Sequence, residues 1–164
     1  MATTAAEARF RIDVPIAPSR ATRVMALDPA AAAVVRSVAE QHWAGARFFT
    51  CHSPAAAAGG EAAGEVAGVV LRRINGSLAR LSDELDGADV AVMVATADAS
   101  ASAAATIGDA CTQRGIMTAA VILGDGYGTG GAGGAVSALR PHARVLMVTS
   151  DEHDVAEVLT ALRA

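Results

Sequence analysis

The sequence predicts an α/β domain of three layers, with a mostly parallel open sheet between two layers of helices. Three observations carry that expectation. Ala88 to Ala95 and Ile116 to Leu123 are nearly unbroken apolar runs, as strands buried on both faces require. Between them, Ala103 to Arg114 has helical spacing, with Ala103, Ile107, Ala110 and Cys111 on one stripe and Gly115 suited to its C-terminus. A strand, a crossover helix and a second strand form the βαβ unit, which sets the strands parallel. The same alternation of apolar runs and helical stripes recurs on both sides of this unit.

The 164 residues suit one domain with one core. Hydrophobic residues make up 52% and charged residues 18%, which excludes a disordered chain. Aromatics are only 3%, so small aliphatic side chains must build the core through close helix–sheet contact. A net charge of −4 with no basic face argues against a nucleic-acid partner. The chain has no lysine, which removes the lysine of a Walker loop, a Schiff base or a kinase site. Cys51 and Cys111 are too few for a disulfide framework and are expected as small buried hydrophobes. With no secretory leader and no run of about 20 apolar residues, a cytoplasmic location without a membrane partner is expected.

Residues 1–20 are expected as an N-terminal arm or edge strand, and residues 21–164 as a single domain. Phe10, Ile12, Val14 and Ile16 alternate with Arg11, Asp13 and Pro15, while Pro15 and Pro18 exclude a central strand. That apolar row must cover this subunit's sheet edge or a partner's surface, so a homo-oligomer or a complex with another protein is expected. Arg23 to Leu27 is a strand. Asp28-Pro29 starts a helix, aspartate as cap and proline in the first turn. The helix runs to about Trp43, with Val34, Val35, Val38 and Trp43 inward and Gly45 closing it.

Ala46 to Cys51 is the next strand, ended by His52-Ser53-Pro54. Ala55 to Gly68 reads as a loop with one helical turn. Val69 to Leu85 reads as an amphipathic helix carrying Leu71, Ile74, Leu78, Leu81 and Leu85, broken or kinked at Asn75-Gly76. After the opening unit, Gly124 to Gly134 is a glycine loop and Ala135 to Arg140 a short helix stopped by Pro141. Arg144 to Thr149 is a strand, and Asp154 to Arg163 a helix with Val155, Val158, Leu159 and Leu162 inward. The strands starting near Arg23, Ala46, Ala88, Ile116 and Arg144 are expected in one parallel, Rossmann-like sheet, those from Arg23 and Ile116 flanking its centre.

This order resembles the nucleotide-binding half of the tubulin/FtsZ family. Arg23 to Ser53 is similar to that family's first strand, first glycine loop, first helix and second strand. Leu78 to Leu123 resembles the helix, strand, signature loop, helix and strand that follow, and Ala135 to Asp154 the next helix, strand and pocket loop. Between Ser53 and Gly68 the chain is shorter than the family pattern.

The resemblance implies a nucleotide fold, but the phosphate loops depart from it. Where the family has a glycine-rich first loop, this chain has Asp28, Pro29, Ala30, Ala31, Ala32 and Ala33. Where the family has a GGGTGTG run, it has Asp98, Ala99, Ser100, Ala101, Ser102 and Ala103. Alanine Cβ atoms narrow the approach to a phosphate, and positions needing positive φ become costly. The family's central helix, base-stacking residue and activation domain are expected to have no counterpart in these residues. GTP is therefore expected to bind weakly or not at all, hydrolysis is not expected, and no cofactor is assigned.

Ligands in such sheets sit at the carboxyl ends of the strands. A nucleotide would be held there by Asp28, Ala30, Thr96, Asp98, Ser100, Ser102, Gly126 and Gly128. The same rim carries Cys51-His52-Ser53, Asp125, Tyr127, Ser150, Asp151 and His153. Several aspartates without a lysine repel a polyphosphate unless a divalent cation intervenes. Asp28, Asp98, Ser102 and Asp151 also stand where helix caps are needed.

Gly126, Gly128 and Gly131 match GxGxxG after a strand, with Asp151 about twenty residues on. This allows an alternative: a small-molecule enzyme or nucleotide module using Gly124 to Gly134. Cys51 and His52 point to opposite faces if the strand continues, and His153 lacks the spacing of a helical metal site. No catalytic residue and no metal ligand set are assigned. The expected role is that of a non-catalytic binding or assembly protein.

Overall fold

The computed structural model describes residues 17–52, 69–96, 101–124 and 132–164. The elements run β1 (Thr22–Ala26), α1 (Pro29–Ala39), β2 (Ala46–His52), β3 (Val70–Arg73), β4 (Leu78–Ala79), α2 (Leu81–Leu85), β5 (Val90–Ala95), α3 (Ala101–Arg114), β6 (Met117–Leu123), α4 (Ala132–Leu139), β7 (Val145–Thr149) and α5 (His153–Ala161). They build an open seven-stranded sheet in the order β4-β3-β2-β1-β5-β6-β7. The five expected strands, β1, β2, β5, β6 and β7, are mutually parallel, with β1 and β6 on either side of β5. Only β3 and β4 run antiparallel to their neighbours. Chain order reverses between β1 and β5, which makes that gap the topological switch point.

Every residue of β1 and β5 is buried. Side chains alternate across the pleat, so each of these strands feeds two cores. On one face Val24, Val90, Val92 and Val121 pack under α1 and α5 through Val34, Val35, Val38, Val155 and Leu159. On the other face Met25, Phe49, Leu71, Met93 and Ile122 pack under α2, α3 and α4 through Leu85, Ile107, Cys111 and Leu139. Burying each Val or Leu is worth roughly 1.5–3 kcal/mol. The valine-rich runs therefore have to lie where helices cover both sides. Cys51 and Cys111 are both free thiols, and both adjoin the second of these cores.

The stretch expected as a helix over Val69 to Leu85 is instead the β3–β4 hairpin followed by the short α2. Asn75-Gly76 does not kink a helix; it turns a hairpin. Gly76 has φ +90, Asn75 Oδ1 accepts the Ser77 amide at 3.1 Å, and Arg73 N–H donates to the Ser77 carbonyl at 2.8 Å. The leucine spacing that suggests a helical stripe is coincidental: Leu71 is fully buried, whereas Leu78 is 64% exposed. Helix α1 is shorter than expected and stops at Ala39. Trp43 lies beyond it and donates its indole N–H to the Val38 carbonyl at 2.8 Å, satisfying a carbonyl of the last turn. Helix α4 starts earlier than expected, at Ala132. The expected arm is described only from residue 17 onward. The expected loop over Ala55 to Gly68 and most of the glycine loop lie outside the described residues. None of the described helices is long and apolar enough to cross a membrane.

Candidate functional site at the switch point

Asp28 follows β1 directly and is the N-cap of α1, with extended backbone at φ −143 and ψ 166. Its Oδ1 accepts the Ala31 amide at 2.8 Å, while its carbonyl accepts the Ala32 amide at 2.9 Å. The Ala32 bond is the first of the helical ladder; the Ala31 amide has no partner inside the helix and takes the side chain instead, and an aspartate there also meets the positive end of the helix dipole. Pro29 removes a further donor from the first turn.

Thr96 follows β5, the strand paired in parallel with β1. Its amide donates to Asp28 Oδ2 at 2.6 Å, and its hydroxyl donates to Asp28 Oδ1 at 3.0 Å. The Leu27 amide donates to the Val94 carbonyl at 2.9 Å, carrying the β1–β5 ladder up to this point. The carboxylate is 7% exposed and accepts three donors from two elements. It thus stands at the place where an open α/β sheet offers its crevice.

Of the residues expected to hold a nucleotide, Asp28 and Thr96 are brought into contact, and Ala30 stands exposed in the first turn of α1. The backbone of Ser102 lies in the first turn of α3. Asp98, Ser100, Gly126 and Gly128 lie outside the described residues, as do Asp125 and Tyr127. At the outer end of the rim, Asp151 Oδ1 accepts the His153 amide at 2.9 Å and lies 3.1 Å from its Nδ1. These bonds hold the Asp151 carboxyl below its usual range. The Thr149 hydroxyl donates to Asp154. No arginine follows β1, β5, β6 or β7 directly at this rim. Among the described residues no three metal-ligating side chains converge.

The arginines gather at the opposite rim, around a residue the sequence analysis did not single out. Glu84 of α2 is 3% exposed. Arg73 donates to its Oε1 through both Nε and Nη2, and Arg47 Nη1 donates to Oε2 at 3.2 Å. Arg23 Nε donates to the Glu84 backbone carbonyl at 2.6 Å. One residue thereby ties α2 to β1, β2 and β3. A shallow depression of about 510 Å³ opens beside Arg47, Arg73, Phe48 and Ile74. The available signal was an arginine near the amino end of β1 and of β2, with another at the carboxyl end of antiparallel β3. Reading Val69 to Leu85 as one helix hid it, because Arg73 and Glu84 then appear on a solvated face.

Among the described residues, both rims do their chemistry by hydrogen bonding and ion pairing between the chain's own groups. No family model and no curated protein matches the chain.

Proposed function

We propose that this chain is a non-catalytic binding or assembly module on a nucleotide-type fold whose phosphate position its own carboxylate fills. The observation that carries this reading is Asp28. At a helix N-terminus by a switch point, free amides and the helix dipole ordinarily receive an anion. Here the Asp28 carboxylate accepts from Ala31 and from Thr96. An incoming phosphate meets a fixed negative charge and alanine Cβ atoms instead of bare amides. A degenerate relationship to the tubulin/FtsZ nucleotide domain fits the element order and the loss of loop glycines, and belongs to the same proposal.

The test is calorimetry with GTP and Mg²⁺, alongside thermal melting. Specific binding to the folded state has to raise the melting temperature. The expected result is no shift and no GTP turnover. Submicromolar GTP affinity overturns the reading.

A further inference from the structure

We infer that β7 is an interface strand, pairing antiparallel with β7 of a second copy about a two-fold axis at Met147. This rests on the assembly reading above and names its partner. The two edges of the sheet differ. Edge strand β4 has two residues, too short to template another chain. Edge strand β7 has five, Val145-Leu146-Met147-Val148-Thr149, with no charge, no proline and no residue fully buried. Val145 is 58% exposed. An uncharged edge of this length lacks the devices that keep sheet edges apart.

Charge complementarity selects the occupant. The strand is preceded by exposed Arg144, which has no ion-pair partner among the described residues. It is followed by exposed Asp151 and Glu152. Antiparallel pairing centred on Met147 sets Val145 opposite Thr149 of the partner subunit and Leu146 opposite Val148 of the partner subunit. Arg144 then falls at the far end of the partner's strand, where the chain leaves β7 and turns into α5 past Asp151 of the partner subunit and Glu152 of the partner subunit. The two-fold repeats the contact at the other end. A second copy of this chain therefore presents the complement of the edge, and an isologous dimer pairs, in both copies, the side of β7 that has no strand beside it among the described residues.

The experiment is light-scattering mass of the full chain across a concentration series. Wild type is expected at twice 16.4 kDa. Arg144→Glu turns two attractive contacts repulsive and is expected to weaken the dimer about tenfold. Glu152 makes no side-chain cap bond, so Glu152→Arg keeps α5 intact. The double variant Arg144→Glu/Glu152→Arg is expected to restore the dimer, which a folding defect would not do. A chain lacking residues 1–16 is expected to remain dimeric.

A monomeric wild type, a dimer indifferent to Arg144→Glu and to Val145→Lys, or a dimer lost with residues 1–16 overturns the interface. Those outcomes leave the assembly reading standing for another partner or another surface. GTP affinity overturns that reading whatever the mass.

Discussion

Glu84 stays charged in a place that should disfavour charge. Burial alone would raise its carboxyl; the hydrogen bonds and positive charge of Arg73 and Arg47 together outweigh that and hold it below its ordinary 4.5. A depressed carboxyl stabilises the folded chain above its unfolded value, and that stabilisation is lost as pH falls through the folded one. Glu84→Gln should therefore be less stable than wild type at neutral pH. Urea melts from pH 7 into the acid range should show a flatter pH dependence for the variant, the two chains converging at the acid end. Truncation to alanine should cost about 3 kcal/mol, the lower end for breaking a buried pair, because Arg47 and Arg73 reach water and can rehydrate. The thiols are quiet by the same logic: burial pushes Cys51 up to about 12. Burial likewise raises Cys111 to about 11, against the opposing charge of Arg114.

At the scale of the element, Asp28 does two jobs with one carboxylate. It ends β1 by capping α1, and it ties that junction to the end of β5 through Thr96. Asp28→Ala should lose the cap, about 1 kcal/mol, and leave the half-buried Thr96 amide without its acceptor, about 1 kcal/mol more. Thr96→Val should lose only the hydroxyl contact and keep the amide bond. Chemical denaturation of both variants checks the ranking, and equal losses would contradict it. The β3–β4 hairpin shows how an element can be misread. Val70 and Leu71 are strand-like, but Leu71, Ile74, Leu78 and Leu81 also satisfy a helical period. Over so short a run the two periods overlap, and the Asn75-Gly76 turn decides between them.

Across the whole molecule, protection should follow position in the sheet. Strands β1 and β5 are paired on both sides and wholly buried, whereas β4 and β7 are edges. Native-state hydrogen exchange should be slowest in Thr22–Ala26 and Val90–Ala95 and faster in Leu78–Ala79. Exchange in Val145–Thr149 should slow as concentration rises if the β7 interface forms. Equal protection of β4 and β5 would mean that the central pair is not the stable nucleus of this sheet.

The sequence alone determined the α/β class, the five parallel strands and the cap at Asp28. Each of these rests on local information: an apolar run, a helical stripe, or a capping residue followed by proline. Asp28 and Thr96 were legible as residues of one rim for the same reason, since each directly follows its strand. Only the tertiary structure decided that these two residues bind each other. They are 68 positions apart in the chain, and their contact exists because β1 and β5 are neighbours in the sheet. The structure likewise decided that Val70 to Ala79 pairs as strands and that Glu84 collects arginines from β1, β2 and β3. Those partners meet through sheet packing, and residue spacing along the chain carries no record of which strands lie side by side.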